Sequence, residues 1–304
     1  MNLKRKAILV TRQTRYQGLL AQYNTESQAS FVVESRGQNF GEYREEHLIY
    51  QNALTVVENT LREYLRVLRL EREFLPNYLF AEDDLVVVVG QDGLVANTLK
   101  YLNGQAVIAI NPDPSRIDGT LLPFSIGDLQ ALIRSVLQGK YQTKSISLAR
   151  AKLNDGQVLT AVNDIFIGPR DPVSAHYELK FGEKEEIQSS SGVIVSTGLG
   201  STGWLTSIVK GAERITGVSR GSSPAFDWAA TNLCFAVREP FPSVATGTQL
   251  VYGNITPSKK FSIRSRMASG GVVFSDGMVN DCIDFNAGSE ISVSLKSVQG
   301  NLVI

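Results

Sequence analysis

Residues 85–89 restrict the fold more than any other segment, because they form an uninterrupted apolar run with the sequence Leu-Val-Val-Val-Val. β-branched residues favour strands, and a strand without polar alternation is typical of a parallel sheet covered on both faces. The run ends at Gly90. A helical pattern follows from Val95 to about Leu102, and a second apolar run covers residues 106–110. This strand–helix–strand order predicts a Rossmann-like α/β layer.

Three further segments extend this layer. Residues 7–11 form a short apolar run of the buried-strand type, and leucines and valines recur at helical spacing over residues 42–74. We expect one long helix over 42–74, ended by Pro76, because proline cannot continue a helix. Another helix is predicted from about Ile126 to Leu137.

The pattern changes to strands after Gly139. Residues 141–153 and 157–167 flank an Asn-Asp-Gly turn and therefore predict a long hairpin. One helix is expected within this half, over residues 202–215. The remaining predicted strands are 176–181, 192–196, 233–237, 249–252, 260–265, 271–274 and 291–295.

The predicted fold class is an α/β Rossmann-like N-terminal domain followed by a mainly antiparallel β-sandwich C-terminal domain. We place the boundary at Gly139, with the first domain at residues 1–139 and the second at 140–304. A chain of 304 residues with 43% apolar side chains is long enough and apolar enough to form two hydrophobic cores.

The charge balance restricts the class of partner. Thirty basic and thirty acidic side chains cancel, so the chain lacks the basic field that non-specific binding to nucleic acid or to an anionic membrane requires. No apolar run approaches the ~18 residues of a membrane span, and the run at 7–10 is too short for a signal peptide. We therefore expect a cytoplasmic protein with neither nucleic-acid nor membrane partners.

The loop Gly90-Gln91-Asp92-Gly93 follows the four-valine strand and leads into a helix. Ligands of open α/β sheets bind at the carboxyl ends of strands, and the N–H groups at a helix start attract phosphate. A carboxylate at Asp92 repels phosphate unless it binds a cation or takes a proton from an attacking hydroxyl. The alternative is that Asp92 only caps the helix, and this segment alone does not decide between the two.

Residues 196–204 form a second segment of small and hydroxyl-bearing residues, Ser-Thr-Gly-Leu-Gly-Ser-Thr-Gly-Trp. At the start of a helix such a loop can bind an anion. Residues 198–203 match G-x-G-x-x-G, but they lie among predicted strands, not in a strand–helix–strand unit, and no acidic residue follows at the required distance. We therefore reject a dinucleotide fingerprint here.

Asn163 and Asp164 form the third segment, two polar residues that interrupt an otherwise apolar predicted strand. Burying polar side chains next to each other costs free energy unless each has hydrogen-bond partners. A bound sugar with vicinal hydroxyls would supply such partners. A β-bulge or a contact within the hairpin is the alternative.

Taken in this order, the three segments resemble the NAD kinase family, whose pattern runs G-G-D-G-[TS], then N-[ED], then a T-x-x-G-S-T-A-[YW]-type loop. The resemblance covers most of the chain and is strongest to the mitochondrial-type branch. Further matches to that branch are Thr14-Arg15-Tyr16, Asn111-Pro112-Asp113-Pro114 with Gly119, Ser190-Ser191-Gly192, Arg238-Glu239-Pro240, Ile263-Arg264-Ser265-Arg266 and Ser275-Asp276-Gly277.

This resemblance implies an ATP-dependent kinase that phosphorylates the 2′-hydroxyl of NAD to give NADP, with its active site in a cleft between the two domains. The implied substrates are small nucleotides, ATP with Mg²⁺ and NAD, with no metal site in the protein itself and a homodimer or homotetramer as the assembly. Carried over by position, Asp92 is the catalytic base. The NAD-binding residues are Asn163, Asp164, Thr202, Gly203 and Trp204, and the phosphate-binding residues are Gly90, Gly93, Thr197, Gly200 and Ser201.

Two residues of the first loop depart from the family pattern. Gln91 stands where the pattern has a second glycine, and Leu94 stands where it has Thr or Ser. Two alternatives to an NAD kinase are therefore kept. One is a lipid or sugar kinase of the diacylglycerol-kinase type, which shares the G-G-D-G loop, and the other is a non-catalytic NAD(P)-binding module.

Overall fold

The computed structural model describes residues 5–219, 221 and 223–304. The chain divides into two compact units. The first consists of the residues up to Lys144 together with Asn301–Ile304, and the second is Ser145–Gly300. The first unit thus extends past the boundary expected at Gly139 and takes in the end of the described chain, because the last strand joins its sheet.

The first unit contains five α-helices and seven strands among its described residues, with β6 reaching into the second unit by two residues. The helices are α1 (Arg15–Tyr23), α2 (Glu26–Ser35), α3 (Phe40–Arg62), α4 (Asp92–Lys100) and α5 (Leu129–Leu137). The strands are β1 (Lys6–Thr11), β2 (Arg66–Glu71), β3 (Leu85–Val89), β4 (Ala106–Asn111), β5 (Phe124–Ser125), β6 (Thr143–Ile146) and β19 (Gly300–Val303). Short 3₁₀ helices cover Arg72–Asn77 and Ile126–Asp128.

These strands form one sheet in the order β2-β1-β3-β4-β19-β6, with β5 paired to β4. The pairs β1–β2, β1–β3, β3–β4, β4–β5 and β4–β19 are parallel. All five residues of β3 are buried, as expected for a strand covered on both faces. One core cluster joins β1, β3 and β4 to helices α3 and α5. The predicted Rossmann-like layer is thereby confirmed.

The single helix predicted over residues 42–74 is wrong in its second half. Helix α3 ends at Arg62, and β2 follows as a strand parallel to β1. The alternation Val67, Leu68, Arg69, Leu70 matches a helical repeat by chance, but only Leu70 of this strand is buried. Backbone pairing with β1 decides the structure, so tertiary context overrides the local pattern.

Helices α1 and α2 occupy a segment for which no element was predicted. Both begin at a threonine whose hydroxyl accepts a backbone N–H, from Gln17 at Thr14 and from Gln28 at Thr25. The Gln17 side chain also accepts from the backbone N–H of Thr14 and completes a capping box. These caps are a signal in the sequence that could have revealed both helices.

In its described residues, the second unit is an antiparallel sandwich with one α-helix, α6 (Trp204–Thr216), and a 3₁₀ turn at Gly200–Thr202. Its strands are β7 (Ala149–Leu153), β8 (Val158–Ala161), β9 (Asp164–Pro169), β10 (Ala175–Phe181), β11 (Lys184–Ser190), β12 (Val193–Ser196), β13 (Leu233–Val237), β14 (Tyr252–Ile255), β15 (Phe261–Ser265), β16 (Gly271–Ser275), β17 (Met278–Asp284) and β18 (Glu290–Leu295).

The twelve strands form two six-stranded sheets, β11-β10-β15-β18-β7-β8 and β14-β13-β12-β9-β16-β17. One large core cluster takes side chains from both sheets, including Tyr177 and Phe261 from the first and Ile167 and Phe235 from the second. Two sheets that share one core are packed face to face, which confirms the predicted β-sandwich.

The long hairpin predicted over 141–167 is broken at both ends. Strands β7 and β8 pair about the Asn-Asp-Gly turn as expected, but β6 belongs to the sheet of the first unit. Strand β9 leaves its hairpin partner and pairs with β12 and β16 of the other sheet. The chain changes sheets at Val162-Asn163, so the two polar residues mark a corner between strands, not an interruption within one.

In the second unit, the strand predicted at 249–252 begins later, at Tyr252, and strands β11 and β17 were not predicted.

None of the helices in the described ranges combines the length and the hydropathy needed to cross a membrane.

Candidate functional site

The strand order of the first sheet reverses between β1 and β3, since β2 lies on one side of this pair and β4 on the other. Ligands of open parallel sheets bind at such a reversal, beyond the carboxyl ends of the strands. Arg12 follows β1 and Gln91 follows β3, and both line one depression of about 470 Å³. We call this the arginine depression; its lining is Arg12, Arg15, Glu46, Ile49, Tyr50, Gln91, Pro112, Asp113, Arg116 and Ile117.

Glu46 of α3 holds two of the arginines. Nη2 of Arg12 lies 2.9 Å from Oε1 of Glu46, and Nη2 of Arg15 lies 2.6 Å from Oε2. Burial of the carboxylate favours protonation, but the hydrogen bonds from Arg12 and Arg15 outweigh it and hold the pKa of Glu46 below its usual value. The two guanidinium groups are therefore fixed beside a carboxylate that stays charged.

Tyr50 joins the ends of the two central strands. Its hydroxyl accepts the backbone N–H of Arg12 at 3.0 Å and donates to the carbonyl of Val89 at 2.9 Å. Burial raises the pKa of Tyr50 to about 12, so the hydroxyl keeps the proton that it donates. The Arg12 guanidinium lies 5.1 Å from the ring centroid, which adds a cation–π contact to the wall of the depression.

Asp92 is the first residue of α4 and does more than begin the helix. Its carboxylate accepts the backbone N–H of Leu121 at 2.8 Å and of Thr120 at 3.2 Å. The turn that presents these amides is closed by Asn111, whose Nδ2 donates to the carbonyl of Ile117 at 2.8 Å. A carboxylate has about four acceptor positions, so two of them remain for a substrate hydroxyl.

The two glycines beside Asp92 differ in their surroundings. A Cβ on Gly90 would lie 2.9 Å from Cδ2 of Leu94, whereas nothing lies within 4 Å of a Cβ on Gly93. Leu94 is buried, so the residue that replaces the hydroxyl of the family pattern packs inside the unit. Gln91 is exposed and lines the arginine depression.

A second depression, of about 660 Å³, lies in the sandwich unit. We call it the aspartate depression; its lining is Asn163, Asp164, Leu199, Gly200, Thr202, Gly203, Trp204, Phe274, Asp276 and Gly277. The structure thus brings together all five residues predicted to bind NAD, although 41 positions separate the first from the last in the chain.

Asp164 is the unusual side chain of this depression. Its Oδ1 is buried and has no hydrogen-bond partner among the described residues. Burial raises the pKa of its carboxyl to about 7; the Ser196 hydroxyl opposes this rise and the Asp276 charge adds to it. A buried acceptor without a partner is costly, and such groups mark positions where a ligand supplies the missing contact.

The loop of residues 197–203 is tied to the corner that carries Asn163. Thr197 donates its backbone N–H to the Asn163 carbonyl at 2.9 Å and its hydroxyl to the Val162 carbonyl at 2.5 Å. Ser201 donates its hydroxyl to Gly198 at 2.6 Å and accepts the backbone N–H of Phe226. Thr197 and Ser201 are fully buried, so the structure uses these hydroxyls to hold the loop and does not present them for the phosphate contact predicted from the sequence.

Trp204 begins α6 and stacks on Phe166, with ring centroids 5.7 Å apart and an interplanar angle of 9°. Phe166 stacks in turn on Phe274, with centroids 4.7 Å apart. The guanidinium of Arg238 lies 5.3 Å from the Trp204 ring centroid. Trp204 and Phe274 thus form an aromatic part of the lining of the aspartate depression, and Phe166 packs against both rings. Such a surface suits the flat ring of a base.

The backbone of Asn163 lies so close to Gly200 that a larger residue would not fit there. A Cβ there would lie 2.3 Å from the carbonyl oxygen of Asn163, whereas a Cβ on Gly203 would meet nothing closer than 3.4 Å. We expect Gly200→Ala to lower the free energy of unfolding by ~1–3 kcal/mol, the usual cost of overpacking. Gly203→Ala is the matched control. Urea midpoints would measure both, and equal midpoints for the two variants would contradict this account of the loop.

The described ranges hold no group of three His, Cys, Asp or Glu side chains arranged to bind a metal ion.

Part of the chain is similar in sequence to known proteins. The NAD kinase of Burkholderia multivorans is 30% identical over 139 residues, which are 43% of this chain and 46% of that protein. The NAD kinase of Burkholderia lata matches to the same extent. The chain is similar to NAD kinases over this part of its length. The aligned part spans less than half the length of these relatives, and no family model matches the chain.

Solved structures extend the likeness to the whole fold. The NAD kinase of Archaeoglobus fulgidus in complex with ATP superposes with a TM-score of 0.61 at 16% identity, covering 99% of this chain and 93% of that one. The yeast NADH kinase complexed with NADH has a TM-score of 0.64 at 14% identity and covers 98% and 83%. The α/β unit followed by a β-sandwich is thus the architecture of NAD kinases, while the mitochondrial-type branch stays a prediction.

Sequence patterns did not reveal several residues of the two depressions. Arg12 and Arg116 were not singled out, because their loops converge only once β1 and β4 lie in one sheet. Asp276 appeared only within a family match, although an Asp-Gly pair between two apolar runs is a recognised hairpin signal.

Proposed function

We propose that this protein transfers the γ-phosphate of ATP to the 2′-hydroxyl of the adenosine ribose of NAD, giving NADP. The observation that carries the proposal is that Asp164, which lines the aspartate depression, has a buried Oδ1 without a hydrogen-bond partner in the described chain. A ribose hydroxyl would supply the missing donor. The likeness to NAD kinases supports NAD as the molecule that carries this ribose.

The acceptor side of the reaction uses polar and aromatic groups of the sandwich unit. Asn163 and Asp164 would take the ribose hydroxyls, and Thr202 with Gly203 would bound the depression. Trp204, which lines the depression, would contact a base of the dinucleotide. In this proposal Thr197, Gly200 and Ser201 serve the site by holding the loop in place.

Asp92 is the group that we propose to accept the proton of the 2′-hydroxyl. The amides of Thr120 and Leu121 fix its carboxylate in one orientation, and a positioned base raises the rate by ~10²–10⁴. Phosphoryl transfer depends mainly on positioning and on neutralising charge, so the protein needs no covalent intermediate.

The donor side would bind at the arginine depression. Arg15 and Arg116 expose 63% and 39% of their side chains there, which leaves guanidinium N–H groups for phosphate oxygens. Gly93, with open space around it, lies in the first turn of α4, whose N–H groups lack intrahelical acceptors. We propose that Gly90 and Gly93 allow the backbone to approach the phosphates.

Mg²⁺ enters this proposal as the counterion of ATP, and it would neutralise the charge that develops on the transferred phosphoryl group. The arginine depression offers it the carboxylate of Asp113, whose buried Oδ2 makes no hydrogen bond in the described chain but lies 3.8 Å from Nε of Arg116. Carboxylate oxygens are among the ligands that Mg²⁺ prefers.

Incubation of the purified protein with ATP, Mg²⁺ and NAD tests the proposal, with NADP measured by a coupled dehydrogenase. We expect NADP to accumulate in proportion to enzyme concentration, and no NADP when either nucleotide is omitted. Absence of NADP under conditions where a homologous kinase is active would refute the proposed reaction.

The same preparation separates the two alternatives. ADP release with diacylglycerol or a sugar, and none with NAD, would identify a lipid or sugar kinase. Calorimetric binding of NAD(P) without any binding of ATP would identify a non-catalytic module, which is the outcome expected if exposed Gln91 obstructs the phosphates.

We also propose that the protein is a cytoplasmic homodimer or homotetramer, as its family resemblance implies. Light scattering after size-exclusion chromatography tests the assembly directly. A mass of 33.2 kDa in solution would correspond to a single chain and contradict this part of the proposal.

A further inference from the structure

Asp276 lies in a two-residue turn of the sandwich unit, between β16 and β17. Ser275 of β16 pairs with Met278 of β17, so Asp276 and Gly277 are the only two residues of the connecting loop. Both have positive φ, +53° at Asp276 and +68° at Gly277. A two-residue loop with positive φ at both positions is a type I′ turn, for which Asp-Gly and Asn-Gly are the favoured sequences. The turn alone would therefore accept either Asp or Asn at 276.

The Asp276 side chain makes hydrogen bonds that the turn itself does not require. Its Oδ1 accepts the backbone N–H of Asn163 at 2.7 Å and of Asp164 at 3.2 Å, and its Oδ2 accepts that of Val162 at 3.0 Å. Its own backbone N–H donates to the carbonyl of Asp164 at 2.9 Å. One residue thus binds three successive amides at the corner where the chain passes from β8 to β9.

The opposite side of this corner is also fixed. Thr197 donates to the carbonyls of Asn163 and Val162, and Gly200 approaches Asn163 so closely that it has no room for a Cβ. The corner is therefore held between the turn of Asp276 and the loop of Thr197. Its two polar side chains are presented to the aspartate depression from a rigid backbone.

We propose that Asp276 is a positioning residue for the nucleotide-binding residues Asn163 and Asp164: its carboxylate fixes their backbone and places a second negative charge next to the Asp164 side chain. The consequence for nucleotide affinity rests on the proposed NAD binding at this depression, whereas the consequence for Asp164 itself does not.

The charge effect can be isolated because few groups face the Asp164 carboxyl. Asp276, in the turn after β16, acts on it through its charge, and Ser196 acts through a hydrogen bond from β12, where it lies opposite Asp164 in the register. Ser196 carries no charge, and neither do Thr202 and Trp204 of the same depression. Burial and the Asp276 charge both raise the pKa of Asp164, so removal of that charge lowers it.

Asp276→Asn is the informative substitution, because Asn-Gly preserves the turn and an amide oxygen can still accept from Asn163 and Asp164. The amide NH₂ would face the N–H of Val162, so one hydrogen bond and the charge are lost. We expect the KM for NAD to rise about tenfold, the effect of losing one hydrogen bond to a charged group, with kcat changed much less.

The decisive readout is the titration of Asp164, followed by its carboxyl ¹³C resonance in protein labelled at aspartate and assigned by its loss in Asp164→Asn. We expect its midpoint to lie at lower pH in Asp276→Asn than in the native protein. Asp155→Asn, in the exposed Asn-Asp-Gly turn between β7 and β8, is the matched control and should leave the midpoint unchanged.

Two results would overturn the inference. An unchanged Asp164 midpoint in Asp276→Asn would show that the charge does not act on Asp164, and an unchanged KM for NAD in an active enzyme would show that the corner does not position the ligand. The titration needs no catalysis, so it separates a failure of this inference from a failure of the proposed kinase activity. Asp276→Gly, which keeps a residue tolerant of positive φ but removes the whole carboxylate, should raise the KM further than Asp276→Asn.

Discussion

Asp92→Asn is expected to reduce the rate of NADP formation by ~10²–10⁴, which is the range for loss of a positioned general base. An amide oxygen can still accept one of the two N–H groups from Thr120 and Leu121, so the start of α4 should persist. The amide nitrogen cannot take the proton of a ribose hydroxyl. The effect should therefore lie in kcat, with the KM for both nucleotides little changed.

Asp118→Asn provides the control for this measurement. Asp118 is exposed, lies in the same loop as Thr120 and belongs to neither depression. We expect it to retain native kcat, and we expect Asp92→Asn to retain the native thermal midpoint within a few degrees. A variant at 92 with more than a tenth of native kcat would assign the proton transfer to another group.

Asp164→Asn is expected to stabilise the protein at high pH while it weakens NAD binding. The carboxyl has a pKa of about 7 in the folded chain against 3.8 for the free side chain. Between these values the folded state binds more protons than the unfolded state, so the free energy of unfolding falls as the pH rises through this window. The total cost is at most about 4 kcal/mol, since one pKa unit corresponds to ~1.4 kcal/mol.

The measurement is the difference in unfolding free energy between Asp164→Asn and the native protein at several pH values. We expect this difference to grow in favour of the variant from pH 4 to pH 7 and to level off above pH 7. NAD affinity, measured by calorimetry at pH 8, should fall by ~10–100-fold, because a charged acceptor is lost. A pH-independent stability difference would contradict the raised pKa of Asp164.

A charged residue is a sign of a binding site when the folded protein becomes more stable after that charge is removed. Natural sequences retain a destabilising group where a ligand needs it, so stability and activity oppose each other there. Asp164 combines a buried acceptor without a partner in the described chain with one neighbour of the same sign, Asp276. Simultaneous stabilisation and loss of NAD binding in one variant would support this interpretation.

Local patterns in the sequence predicted the buried strands well. Residues 85–89 and 106–110 are apolar because both faces of these strands are covered, so burial leaves a direct trace in the sequence. Strand β2 left no such trace, since it is largely exposed and its two leucines also fit a helix. Strand β11 carries Lys and Glu at its start and was missed for the same reason.

The site could be predicted only as separate segments. The family motifs assigned Asn163, Asp164 and the loop of 202–204 to one ligand, and the fold brings these residues to one depression. The contacts of Asp276 could not be predicted, because they join residues more than 110 positions apart and depend on the register of β16 against β9. The arginine depression likewise required the sheet order before its members could be recognised.

Strand β19 has a consequence for how the chain folds during synthesis. Its residues Asn301 and Leu302 pair with Ala106 and Val107 of β4, and the strand lies between β4 and β6 in the sheet. A ribosome that has completed β4 must still make the whole sandwich before this partner emerges. During that time the edge of β4 offers unpaired N–H and C=O groups, the usual starting point of aggregation. The nascent first unit should therefore depend on chaperones until the last strand arrives, and a fragment ending at Lys144 should be prone to aggregate.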